Sequence, residues 1–141
     1  MKYLLDTCVI SELVRKQPNS KVVSWIDAQD ELDLYISVIT LGEIQKGVAK
    51  LDDSRKKQKI QLWLEELTER FHGRILDLDL NTLLKWGKLS GELSKQGINI
   101  PAIDSLIAAS AKNNHLYLIT RNTDDFKYCG VEMINPWEEV K

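Results

Sequence analysis

The chain has 141 residues, 43% of them hydrophobic and 28% charged, with a formal net charge of −2. This is the size and composition of one ordinary globular domain, and a single domain over 1–141 is expected. No apolar run approaches the roughly 20 residues of a membrane-spanning helix. Asp6 also breaks the first apolar run too early for a signal peptide, and the net charge offers nucleic acid no global attraction.

A cytoplasmic protein without membrane contact is therefore expected, and any nucleic-acid binding must use a local basic surface. Cys8 and Cys129 form no CxxC or zinc-like cluster. Both read as ordinary thiols, because cytosolic disulfides are unusual.

In chain order, "KYLLD" reads as a buried strand ending in Asp6. "VISELVR" places Val9, Leu13 and Val14 near one helical face, and "KVVSWIDAQ" places Val22, Val23 and Ile26 likewise, with Ser20 as its N-cap. "DLYISVIT" is β-branched and apolar, so it reads as the second strand, and "LGEIQKGVAKL" as the helix after it. A long helix is expected over about 54–71, with Ile60, Trp63, Leu64 and Leu67 turned inward. "RILDLD" is a short strand, and "NTLLKWGKLSGELSKQG" a helix ended by Gly97. "PAIDSLIAASAKNNH" is an Ala-rich helix with Pro101 at its start. "LYLIT" is a strand, "RNTDDF" a polar loop, and "VEMINPW" a last strand stopped by Pro136. Strands alternate with helices and are almost continuously apolar. That pattern predicts an α/β fold with a mostly parallel sheet covered by helices on both faces. Functional residues in such sheets gather beyond the carboxyl ends of the strands.

Few acids fall at such places. Asp6 ends the first strand, Glu43 and Asp104 lie in first helical turns, and Asp124 and Asp125 follow "LYLIT". Each has a plain structural reading. Asp6 or Thr7 could cap a helix, and Thr40-Leu41-Gly42-Glu43 fits a capping box. Asp104 suits a helix dipole, and Asp124 or Asp125 suits a turn. Together they carry more. A parallel sheet brings several of them to one end, and clustered carboxylates repel unless a cation offsets them. Mg²⁺ or Mn²⁺ suits all-oxygen donors. Zinc does not, because His72 and His115 are far apart and outside any ligand motif.

"LLDTCVISEL", "SVITLGEIQKG", "IPAIDSLIAASA" and "LITRNTDDF…INPW" follow one another in an order that resembles the PIN-domain ribonucleases. The likeness is greatest to the VapC and FitB-type toxins of bacterial toxin–antitoxin pairs, and it spans almost the whole chain. It implies a PIN-like fold, an Mg²⁺ pocket in which Mn²⁺ can substitute, and endoribonuclease activity. It also implies a homodimer and inhibition by a cognate antitoxin. By block, the resemblance assigns Asp6, Glu43, Asp104 and Asp125 as metal-holding and catalytic acids. The fourth position is open: Asp125 precedes Phe126 as in one branch, whereas another branch places an aspartate where this chain has Asn122. Thr7 would orient Asp6.

The expected reaction is phosphodiester hydrolysis of RNA, with Asp6 and Asp104 as direct ligands. Glu43 and Asp125 would act through water or orient the nucleophile. Arg121 could hold a phosphate or offset the acids. "RKKQK" at 55–59 is either a solvated helix face or an RNA-backbone contact. Trp25, Trp63 and Trp86 read as core or interface, and Trp137 as a pin for the C-terminus. The "KVVSWIDAQ" and "IQLWLEEL" helices could form a groove for an amphipathic antitoxin segment.

Three other readings compete. A receiver-like phosphoacceptor would carry an adjacent acidic pair after the first strand and a late lysine. A haloacid-dehalogenase-type phosphatase would need D-x-D, but position 8 is Cys8. The third is a non-catalytic PIN-fold module acting through its antitoxin complex and nucleic acid.

Overall fold

Five short strands form one sheet in the order β3-β2-β1-β4-β5, and every neighbouring pair is parallel. They are β1 (Tyr3–Leu5), β2 (Leu34–Ser37), β3 (Ile75–Leu76), β4 (Tyr117–Ile119) and β5 (Met133–Ile134). The computed structural model describes residues 1–138. Among these residues seven α-helices and a 3-10 turn (Glu31–Asp33) connect the strands: α1 (Thr7–Leu13), α2 (Ser20–Asp27), α3 (Val38–Ala49), α4 (Arg55–Arg70), α5 (Leu80–Lys95), α6 (Ala102–Asn113) and α7 (Thr123–Phe126). The α/β architecture read from the sequence is the one observed.

The strands are apolar throughout because both faces are covered. Tyr3 and Leu5 pack into a core with Val22 of α2 and Leu64 and Leu67 of α4. Leu4, between them, points into the opposite core with Ile107 and Ala108 of α6 and Phe126 of α7. The same alternation repeats in β4, where Ile119 joins the first core and Leu118 the second. This is the period-2 geometry of a strand with no solvent face. The long helix begins after the N-cap Ser54 and ends at Phe71, and Ile60 and Trp63 pack against the first core. Gly97 follows the end of α5 at φ +76, where a left-handed residue closes the helix.

Four local boundaries differ from the expectation. β2 stops at Ser37, whose hydroxyl accepts the Ile39 N–H at 3.1 Å, so α3 starts within the "VIT" that reads as strand. A cap of this kind contributes about 1 kcal/mol, enough to override a weak β preference. Asn19, not Ser20, caps α2, accepting from the Lys21 and Val22 N–H groups. Pro101 is the N-cap of α6 rather than its first helical residue. The "RNTDDF" segment is not all loop: Thr123–Phe126 turns into a short helix because Phe126 is fully buried in the second core. Burial of a phenyl ring contributes about 1.5–3 kcal/mol.

β1 lies at the centre of the sheet. The chain runs from it to β2 and β3 on one side, and later to β4 and β5 on the other. The carboxyl end of β1 is therefore the point where the strand order reverses, the usual place for a site in an open α/β sheet.

Candidate active site

Asp6 stands at that point. Its backbone N–H donates to the Ile119 carbonyl at 2.9 Å, which ties the end of β1 to β4. Its side chain is 4% exposed. One oxygen, Oδ1, accepts the Thr7 N–H at 2.8 Å; the other, Oδ2, accepts the Thr120 hydroxyl at 2.7 Å and faces the Cys8 thiol at 3.6 Å. Asp6 is thus both the N-cap of α1 and a buried carboxylate aimed beyond the sheet. The capping and chemical readings describe one residue.

Thr7 joins two of the acids. Its N–H holds Asp6, and its hydroxyl donates to Glu43 Oε1 at 2.7 Å. Behind it, the fully buried Thr40 hydroxyl lies 3.0 Å from the Thr7 hydroxyl. With α3 starting at Val38, Glu43 is in the second turn, not the first, and the capping box at Thr40 does not form. The Glu43 carboxylate turns to Thr7 on α1 instead. Among the described residues its Oε2 accepts no hydrogen bond.

Asp104 is half-buried in the first turn of α6, as expected. Burial pushes its carboxyl above the usual range, and the charges of Asp6, Asp125 and Glu43 push it the same way. Asp6 is also raised: burial dominates, partly offset by the bonds from Thr120, Thr7 and Cys8, with Glu43 adding repulsion. The four acids named from the sequence therefore act on one another electrostatically. Asp125 is among the charges that push Asp104 up. The backbone N–H of Asn122 donates to the Thr120 hydroxyl at 3.0 Å.

Ion pairs among the described residues lie elsewhere, at Arg15–Glu12, Lys57–Asp53, and Arg70 and Arg74 with Glu31. Among the described residues none of the four acids is in one of these ion pairs. Among the described residues no group of three His, Cys, Asp or Glu side chains is close enough to form a ready-made metal cage. Arg121 lies beside the site, its backbone N–H 3.5 Å from the Cys8 sulfur and its guanidinium 5.5 Å from the centre of the Trp137 ring.

Three contributors were not legible as such. Thr40 and Thr120 are buried hydroxyls whose partners lie far off in sequence. Glu12, 5% exposed, accepts the Asn19 N–H at 3.2 Å and pairs with Arg15. Burial alone would raise its carboxyl, but these donors hold it below the usual range. The signal available was an acid inside an apolar helical face, "VISEL". Trp137 packs on the first core as a C-terminal pin. Trp25 sits edge-to-face on Tyr3, and the Trp86 indole donates to Ser105 at 2.8 Å.

Residues 3–130 match the PIN domain family. The chain belongs to that family. Among curated relatives of this PIN domain, toxin FitB of Neisseria gonorrhoeae is 39% identical over 137 residues, covering 96% of this chain and 99% of that protein. The VapC ribonuclease Y4jK of Sinorhizobium fredii is 37% identical over 136 residues, covering 96% of this chain and 97% of that one. Among solved structures, FitAB bound to an IR36 DNA fragment superposes with a TM-score of 0.92 at 37% identity, over 99% of this chain and 98% of that chain. The PIN-domain resemblance read from four sequence blocks is thereby established. No helix among the described residues is long and apolar enough to cross a membrane.

Proposed function

We propose that this chain is the ribonuclease toxin of a toxin–antitoxin pair, a single PIN domain that hydrolyses RNA phosphodiester bonds with Mg²⁺ or Mn²⁺. The observation that carries this reading is the carboxylate set at the carboxyl end of β1: Thr7 holds both Asp6 and Glu43, and the charges of Asp6, Asp125 and Glu43 push the half-buried Asp104 carboxyl up. The donor set fits a hard cation. It is all carboxylate oxygen, and a hydrated Mg²⁺ needs only one or two carboxylates and keeps its waters, so a preformed cage is not required. Asp6 and Asp104 would hold the ion directly, with Glu43 and Asp125 reaching it through water. The ion supplies positive charge that polarises the phosphate and acidifies an attacking water.

The chain's own residues do the rest. Thr7 and Thr120 each hold one oxygen of Asp6 and so fix its orientation. Thr7 also fixes Glu43 through Oε1, leaving Oε2 to accept a proton from the attacking water. The buried side of the pocket excludes bulk water and strengthens each of these interactions.

The relatives' names point to a partner: the solved neighbours include FitAB and a VapBC2 from Rickettsia felis bound to promoter DNA. We infer a cognate antitoxin for this chain, encoded next to it. A homodimer is supported by the exposed leucines Leu80, Leu83 and Leu84 on α5, an apolar face of the kind that copies of a chain cover. The cytoplasm, where RNA lies within reach, is the compartment this function requires.

The test uses purified, antitoxin-free protein and total cellular RNA. Cleavage should appear with Mg²⁺ or Mn²⁺, stop in EDTA and return when the metal is restored. Full cleavage in EDTA would remove the metal mechanism. No cleavage in any metal, beside tight antitoxin binding, would favour the non-catalytic module.

A further inference from the structure

A groove of about 540 Å³ leads away from the acids, and Glu43, Lys46 and Lys50 line one side of it. On α3 these three follow one another at i, i+3 and i+7, so a single helical face carries them. The opposite side is apolar, with Leu78 from the segment after β3 and Ile103 and Leu106 from α6. Ile103 is next to Asp104 and is 41% exposed. The groove therefore has one of the site's acids, Glu43, in its lining, together with Ile103, the neighbour of Asp104, and it takes in two lysines. Among the described residues neither lysine is in an ion pair.

Gly42 and Gly47 line the same groove. Both lie inside α3, where glycine is less favourable than alanine by about 1 kcal/mol. A Cβ added at either would meet nothing within 4 Å. Packing inside the chain does not require glycine at these positions. What the absent side chains preserve is the open space between Glu43 and Lys50.

We propose that this groove is a subsite for single-stranded RNA flanking the scissile bond. Lys46 and Lys50 meet neighbouring backbone phosphates, and one base lies on the apolar side formed by Leu78, Ile103 and Leu106. The proposal rests on the nuclease reading and adds to it where the substrate runs. Lys46 and Lys50 are one helical turn apart, about 5–6 Å between Cβ atoms, and their flexible stems can track successive phosphates of one strand. Contacts of this kind position the strand without reading its sequence.

The experiment measures binding of a labelled oligouridylate by fluorescence anisotropy across a KCl series. Ca²⁺ replaces Mg²⁺ for the binding measurement, and cleavage is followed on matched samples in Mg²⁺. Two single-strand phosphate contacts contribute about 1.4 to the slope of log affinity against log salt, at roughly 0.7 each. Lys46→Ala with Lys50→Ala should remove that much of the slope. Lys56→Ala with Lys59→Ala, on the basic run of α4, should leave it unchanged. Gly47→Glu should melt at or above the wild-type temperature, because glutamate is the better helix former, and yet bind RNA several-fold more weakly.

If the wild type binds and the α3 double variant keeps its slope, the groove assignment is overturned while the nuclease reading stands. A slope lost only in the α4 variant moves the RNA path there and overturns it as well. An unchanged slope with an altered oligomeric state in light scattering makes this face a contact between copies of the chain, also against the proposal. A wild type that neither binds nor cleaves RNA takes down the nuclease reading and the groove together.

Discussion

Asp6 and Asp104 present the same group to the same pocket and are held in different ways. Asp6 is buried, and the Thr7 N–H and Thr120 hydroxyl fix its two oxygens. Asp104 is half-buried, and among the described residues no hydrogen bond ends on its carboxylate; what acts on it is burial and the charge of the other acids. The first is oriented by the fold. The second is placed by the fold but opposed by it electrostatically until a cation arrives. Changes around Asp6 should therefore move stability and activity together, whereas changes at Asp104 should separate them.

The largest effects test that contrast directly. Asp6→Asn and Asp104→Asn should each lower RNA cleavage by more than the roughly 100-fold seen when only a partner of a metal ligand is lost. Their melting curves in EDTA should diverge. Asp6→Asn loses acceptor capacity for three donors and should cost about 1–3 kcal/mol. Asp104→Asn removes a repelled charge and should melt at or above wild type. Equal shifts in the two melting temperatures would break the comparison. A folded Asp104→Asn that cuts RNA at the wild-type rate would remove that residue from the site.

Thr120→Val comes next. It deletes a hydroxyl that donates to a buried carboxylate, a bond worth about 1.5–3 kcal/mol. Denaturant unfolding should show that loss, together with the loss of the acceptor for the Asn122 N–H, and cleavage should fall about 10–100-fold, because Thr120 orients Asp6. A variant with normal stability and normal cleavage would mean that Asp6 needs no such support.

The pH dependence joins the two acids and sets them against Glu12. Asp6 and Asp104 both have folded-state values above the unfolded 3.8. Between the unfolded and folded values the native state binds more protons. Their contribution is therefore fully present below the unfolded value and is lost as pH rises through the folded values. Glu12 has the opposite sign. Its folded value is below 4.5, so its contribution is present above 4.5 and is lost as pH falls through the folded value. In EDTA, the melting temperature of Asp104→Asn relative to wild type should therefore climb as pH is raised from 3 toward neutrality. A flat difference would contradict the raised Asp104.

The smallest expected effect concerns neighbours in α7. Asp125→Asn should weaken cleavage, whereas Asp124→Asn should leave cleavage unchanged and stability within about 0.5 kcal/mol. The same assay on both variants checks whether the charge reaching Asp104 comes from Asp125 alone.

Much of this architecture was legible in short windows of sequence. The strand "YLL" is apolar at every position because both of its faces are covered, and the period of Ile60, Trp63, Leu64 and Leu67 placed α4 to within a residue. Asp6 stood out because an acid directly after such a strand must face the end of the sheet. Boundaries set by a single hydrogen bond were less legible. The Ser37 cap that starts α3 early competes with a β-branched "VIT", and nothing in the local pattern decides between them.

The sequence alone determined the alternation of strands and helices, the acids that follow the strands, and the four blocks of the PIN family. These depend on periodicity and on neighbours within a few residues, where backbone geometry decides which side chains share a face. Only the tertiary structure decided which acids share one field. Parallel register sets Leu5 beside Ile119, which brings Thr120 to Asp6 across 114 positions, and Leu4 beside Tyr35, which brings Thr7 to Glu43 across 36. It also set Asp125 among the charges that push Asp104 up, and it opened the groove between Lys50 and Ile103. Electrostatic coupling falls with distance in space, and distance in space is fixed by how the sheet is assembled, not by position along the chain.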